Sequence, residues 1–107
     1  MTVFEKLSNN GIYLNQKDLE YIVSKYNIKE ISVFGSSIRN DFTIESDVDF
    51  LIEFTNSEKI SLFDILDIQE YLKTITKRYV DIVEPAALVN PYRREPIMNS
   101  REPLYVA

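Results

Sequence analysis

The segment Asp47-Val48-Asp49-Phe50-Leu51-Ile52-Glu53-Phe54 limits the possible folds more than any other part of the chain. Side chains alternate across a strand, so Val48, Phe50, Ile52 and Phe54 share one face while Asp47, Asp49, Leu51 and Glu53 share the other. An unbroken apolar face demands a cover, and helices on that side supply it. The other face opens with two carboxylates about 7 Å apart, because residues at i and i+2 are two strand steps apart. Tyr79 to Glu84 repeats the pattern on a shorter scale. Val80 and Ile82 fall on one side, Asp81 and Val83 on the other, and Pro85 ends the strand. Ile31 to Phe34 reads as a third strand, closed by Gly35.

Helices fit between these strands. Thr2 to Asn9 is a short one, punctuated by Gly11. Asn15 to Tyr26 is longer: Asn15 and Asp18 form a capping pair, and Leu19, Ile22, Val23 and Tyr26 make one apolar stripe. Ser61 to Thr76 begins with Ser61 and Asp64 as caps. Leu62, Ile65, Leu66, Leu72 and Ile75 are expected to supply its buried stripe. After Pro85 the tail holds Pro91, Pro96 and Pro103, so only short helical turns or an edge strand are expected there. The expected fold class is therefore α+β, a mixed sheet with helices packed mainly on one face, built as a single domain over residues 1–107.

Composition removes several kinds of chemistry. The chain has no cysteine and no histidine. Disulfides, the usual zinc sites and Ser-His or Cys-His catalysis are all excluded. Any metal must be held by oxygen, which favours a hard cation such as magnesium. The net charge of −5 argues against a broad nucleic-acid footprint. No apolar run is long enough to span a membrane and no signal peptide is visible, so a soluble, cytoplasmic protein is expected.

The acids carry the chemistry. Two aspartates on one strand face repel each other and sit in a conformation that aspartate disfavours, and a divalent cation relieves that repulsion. Asp81 interrupts an apolar run, and a neighbouring strand would bring it beside the pair. Gly35-Ser36, directly after a strand, reads either as an ordinary turn or as a phosphate cradle of backbone N–H groups and a hydroxyl. Arg39 is either a surface arginine or a partner for a phosphate oxygen. Lys73, Lys77 and Arg78 close a helix, where cations suit the helix dipole. Tyr13, Tyr92 and Tyr105 fit core or rim packing better than a partner surface. Glu53 and Glu84 are reserve acids.

Together these residues resemble the DNA-polymerase-β-type nucleotidyltransferase superfamily. Gly35-Ser36, ten residues, then Asp47-Val48-Asp49 is similar to its signature, with Arg39 in the intervening turn and Val80-Asp81-Ile82-Val83 as the strand of the third carboxylate. Asn40 departs from the glycine that often follows the arginine. Small size and the ending Pro91-Tyr92 through Leu104-Tyr105 resemble the minimal nucleotidyltransferases, antitoxins paired with a HEPN-domain RNase toxin. The resemblance implies Asp47, Asp49 and Asp81 as catalytic and metal ligands for two Mg2+ ions. It implies Gly35, Ser36 and Arg39 as nucleotide-binding, ATP as donor, and a tyrosine hydroxyl of the HEPN toxin as AMP acceptor in a hetero-oligomer. Two other functions compete: an antitoxin that neutralises by binding alone, and a nucleotidyltransferase acting on a small molecule. An enzyme acting on RNA ends fits least, given the acidity.

Overall fold

The computed structural model describes residues 1–107. Helix α1, Val3–Asn9, starts at a Thr2/Glu5 capping box, and α2, Gln16–Tyr26, at the Asn15/Asp18 box read from the sequence. Asn27 then turns the chain in a left-handed conformation, φ 53°, straight into strand β1, Ile28–Phe34. This strand begins three residues before the alternation suggests. The cause is a register shift between Ile28 and Glu30, which lets Ile28 pair with Phe54 and Ile31 with Ile52 although they are three apart in sequence. A bulge breaks the two-residue period that announces a strand.

Strand β2, Val48–Phe54, has the expected bounds. Helix α3, Leu62–Thr76, carries its Ser61/Asp64 box and leads into β3, Val80–Val83. The sheet order is β3-β2-β1-β4, with β1 antiparallel to both β2 and β4, and β2 parallel to β3. Leu19, Ile22, Phe50, Ile52, Ile68 and Leu72 lie in the main core, on the side covered by α1, α2 and α3. No helix is long and apolar enough to cross a membrane.

Three further expectations fail. Tyr13 and Tyr92, read as core or rim packing, are 70% and 91% exposed. The buried stripe of α3 is rotated. Leu62 is 71% and Leu66 48% exposed, while Ile68 and Leu72 are fully buried and Ile65 and Ile75 pack beside them. With 3.6 residues per turn, Leu62 and Leu66 stand roughly 80° and 120° around the axis from Leu72, outside the stripe that Ile65, Ile68, Leu72 and Ile75 share.

The tail is also more regular than its prolines suggest. Pro91–Ser100 forms a full helix, α4, followed by the expected edge strand β4, Glu102–Val106. Pro91 occupies the first helical position, where no N–H is needed, and the Asn90 side chain accepts from the Tyr92 N–H at 3.0 Å. Pro96 costs one hydrogen bond inside the helix. Packing offsets it: Ile97 and Met98 rest on a second apolar cluster of Phe34, Leu51, Val83 and Leu88. Arg94 adds a tie, donating from Nη1 to the carbonyls of Pro85 at 2.6 Å and Leu88 at 3.3 Å. The acid-bearing face of the sheet is thus partly roofed by α4.

Candidate active site

The acids meet near the N-terminal ends of β2 and β3. Asp49 is the second residue of β2 and is in register with Asp81, the second residue of β3. Paired residues on adjacent strands point to the same face, so these two carboxylates stand side by side. Asp47 lies just before β2 and is exposed. On the other flank, Asp49 is in register with Phe34, the residue before Gly35.

Gly35 is required twice over. Its φ is +77°, a region that other residues rarely adopt, and a Cβ there would stand 2.6 Å from Asp49 Oδ2. The Asp49 carboxylate is thus packed directly against the Gly35 backbone. From Gly35 the chain makes one 3-10 turn, Gly35–Ile38, which leaves Ser36 half-buried. Asn10, at the end of α1, steadies this turn by donating to the carbonyls of Ser37 at 2.8 Å and Arg39 at 3.0 Å.

Electrostatics set the acids against one another. Burial pushes the Asp49 carboxyl up to about 6; the charges of Asp81 and then Asp47 push the same way, while Arg39 and Arg93 oppose them. Arg39 itself is turned aside. Its guanidinium grips Asp41 through Nε–Oδ1 at 3.0 Å and Nη2–Oδ2 at 3.3 Å, and this pairing raises its pKa and lowers that of Asp41. Glu53 lies at the far end of β2, 3.9 Å from Lys29.

Arg93 is a charged neighbour of the acids that the sequence did not single out. It stands in the first turn of α4 and lines a groove of about 310 Å³ together with Asp81, Ile65, Ile82, Glu84 and Ala87. The only available signal was Asn90-Pro91 as a helix start, which the later prolines obscured. Larger concavities, about 390 Å³ each, lie between α2 and α3 and beside Lys73, Lys77 and Arg78. Neither is lined by Asp47, Asp49 or Asp81. Lys73 pairs with Glu70 at 3.7 Å and Arg78 stacks on Phe42, which suits the structural reading of that basic cluster.

The donor set fits a hard cation: oxygen ligands only, with two carboxylates adjacent and a third whose charge is felt by Asp49. No three acidic side chains converge closely enough to hold a metal ion between them. Magnesium rarely uses an all-protein cage, because it binds through one or two carboxylates together with waters and substrate phosphates.

Comparison with known proteins points the same way. A provisionally named protein adenylyltransferase, MJ1379 of Methanocaldococcus jannaschii, is 34% identical over 82 residues, covering 77% of this chain and 82% of that protein. A solved structure provisionally described as a minimal nucleotidyltransferase superposes with a TM-score of 0.70 at 25% identity, covering 97% of each chain. The fold also matches that in a complex of tri-AMPylated Shewanella oneidensis HEPN toxin with MNT antitoxin, with a TM-score of 0.61 at 13% identity over 94% of this chain and 73% of that one. Residues 16–104, which hold the Gly35-Ser36 turn and all three aspartates, match the family model of the nucleotidyltransferase domain, and the chain belongs to that family.

Proposed function

We propose that this protein is a protein adenylyltransferase that moves AMP from ATP to a hydroxyl group. The acceptor in this reading is a tyrosine of a HEPN-domain toxin with which it forms a complex, so that it serves as the antitoxin. The observation that carries the chemistry is the register of Asp49 with Asp81 beside the Gly35 turn. The acceptor class is supported by the protein adenylyltransferase relative and by the antitoxin fold seen with its AMPylated HEPN toxin.

The layout across the sheet suggests the division of labour. Gly35 and Ser36 lie at the end of β1, Asp49 in the middle on β2, and Asp81 on β3. Backbone N–H groups of the Gly35-Ser36 turn and the Ser36 hydroxyl donate to the β and γ phosphates. Asp47, Asp49 and Asp81 would hold magnesium, which when bound would neutralise triphosphate charge and acidify a hydroxyl beside it. Asp81 stands on the acceptor side and takes the hydroxyl proton. A new bond forms between the hydroxyl oxygen and the α-phosphorus. The bond from that phosphorus to pyrophosphate breaks, and its electron pair leaves with pyrophosphate. Arg39 joins the phosphates only by releasing Asp41, an exposed pair that costs little to open.

The test is incubation with the HEPN-domain partner, magnesium and α-labelled ATP. Label and mass gained by the partner in whole AMP steps support the reading. An Asp47→Asn protein that stays folded and transfers AMP at the normal rate refutes it. Full neutralisation of the toxin by a variant with all three aspartates replaced by asparagine, with no label transferred by the parent protein, shows instead an antitoxin that acts by binding.

A further inference from the structure

The chain has five arginines, and four are occupied. Arg39 pairs with Asp41, Arg94 with the carbonyls of Pro85 and Leu88, and Arg101 with Glu30 and the Met98 carbonyl, while Arg78 lies over the Phe42 ring. The Arg93 guanidinium alone has no hydrogen bond, ion pair or ring contact. Yet it lines the same groove as Asp81, and its charge reaches Asp49. Its neighbour Arg94 fastens α4 to the turn that follows β3, so the helix that carries Arg93 is fixed relative to the acids.

An arginine held beside carboxylates but bonded to none keeps its whole fork of five N–H donors free for a planar or tetrahedral anion. The groove places that anion. It runs along β3, the edge strand, with Ile65 contributed by α3 and Ala87 by the turn after the strand, on the far side of Asp49 from the Gly35-Ser36 turn. A triphosphate tail on that turn therefore puts its α-phosphorus between the turn and Asp81, with Arg93 on the side where the hydroxyl enters.

We infer that Arg93 is a further catalytic residue, donating to the oxygens of the phosphoryl group under transfer from the acceptor side of Asp81, at the groove that receives the acceptor side chain. This rests on the nucleotidyl-transfer reading above. As the hydroxyl oxygen bonds to the α-phosphorus and pyrophosphate departs with the old bond's electron pair, charge builds on the α-phosphoryl oxygens. Arg93 stabilises that charge and stays protonated throughout; the hydroxyl proton goes to Asp81. Because its help is greatest in the transition state, removing it lowers kcat more than ATP affinity.

The experiment compares the parent protein with Arg93→Gln, Arg93→Lys and the distant charge control Lys59→Gln, with the HEPN-domain partner as acceptor. Turnover is followed with α-labelled ATP, and ATP binding by calorimetry in magnesium. Arg93→Gln is expected to lose about 100-fold or more in kcat, the scale for one transition-state donor, with ATP affinity changed less than about threefold. Arg93→Lys recovers part of the loss, since it restores charge without the fork. Lys59→Gln behaves as the parent. Melting temperatures verify that the variants fold; Arg93 is exposed and has no structural partner to lose. A kcat for Arg93→Gln within about threefold of an active parent overturns the inference and leaves the adenylyltransferase reading standing. A loss confined to ATP affinity overturns it too, by moving Arg93 to the triphosphate. A parent that transfers nothing overturns both.

Discussion

Replacing Asp49 by asparagine should make the metal-free protein more stable while it abolishes transfer. Asp49 stands between Phe34 and Asp81 with its carboxylate against Gly35, and burial with two neighbouring acids moves its pKa from 3.8 to about 6. At about 1.36 kcal/mol per unit, that gap corresponds to roughly 3 kcal/mol of destabilisation once the group is ionised. The side chain is only half-buried, so solvent screening reduces this to about 1 kcal/mol. The folded pKa is raised, so the folded state holds its proton longer than the unfolded chain. Stability therefore falls as pH rises from about 4 to about 6 and stays low above that. Asparagine removes the cost. In EDTA at pH 7.5, Asp49→Asn should melt about 4–8 °C above the parent, the shift that 1 kcal/mol produces in a domain of this size. At pH 4 the two should melt together. Magnesium should raise the melting temperature of the parent and leave that of Asp49→Asn unchanged, because the cation binds through the charge that was removed. Circular dichroism melts at both pH values, with and without magnesium, decide the matter. A variant that melts at or below the parent at pH 7.5, or one that gains equally at both pH values, refutes the account of strain among the three acids.

Other consequences follow from single side chains. Gly35→Ala should destabilise by at least about 1–2 kcal/mol through its positive φ alone, and should reduce transfer by displacing the Asp49 carboxylate; chemical denaturation and the AMP-transfer assay measure the two effects. Arg94→Ala should loosen α4 without unfolding the sheet, seen as faster amide exchange in residues 91–100 and unchanged exchange in β1 and β2. Ile68→Ala should cost about 2–5 kcal/mol, while Leu66→Ser changes stability by less than about 0.5 kcal/mol, a contrast that denaturant titration resolves and that tests the rotated face of α3.

How far the sequence discloses this protein depends on how local each determinant is. The capping boxes at Asn15/Asp18 and Ser61/Asp64 and the alternation of β2 were legible because each is decided within a few residues. The α3 face was not. Leu62, Phe63 and Leu66 are as apolar as Ile68, and only the sheet beneath the helix chooses which of them to bury. The β1 start was hidden by its bulge, and α4 by Pro96, whose lost hydrogen bond is offset by contacts with Leu51 and Val83 far away in the chain.

The site shows the same division. Asp47 and Asp49 declare themselves by spacing, but the place of Asp81 depends on β3 lying parallel to β2 in a register that no short segment encodes. Arg93 is harder still, for its position depends on a helix held against the acid face by contacts from three separate strands and a turn. Arg39 shows the converse: it sits where a motif suggests a phosphate partner, yet Asp41, two residues away, holds its guanidinium in an exposed pair that must open first. A motif reports which charges lie close in sequence; whether a charge is free to act on a substrate depends on what the folded chain has left unpaired. On that criterion Arg93, on α4, is the cation left unpaired beside these acids, whereas Arg39, nearest the glycine-serine turn, must first release Asp41.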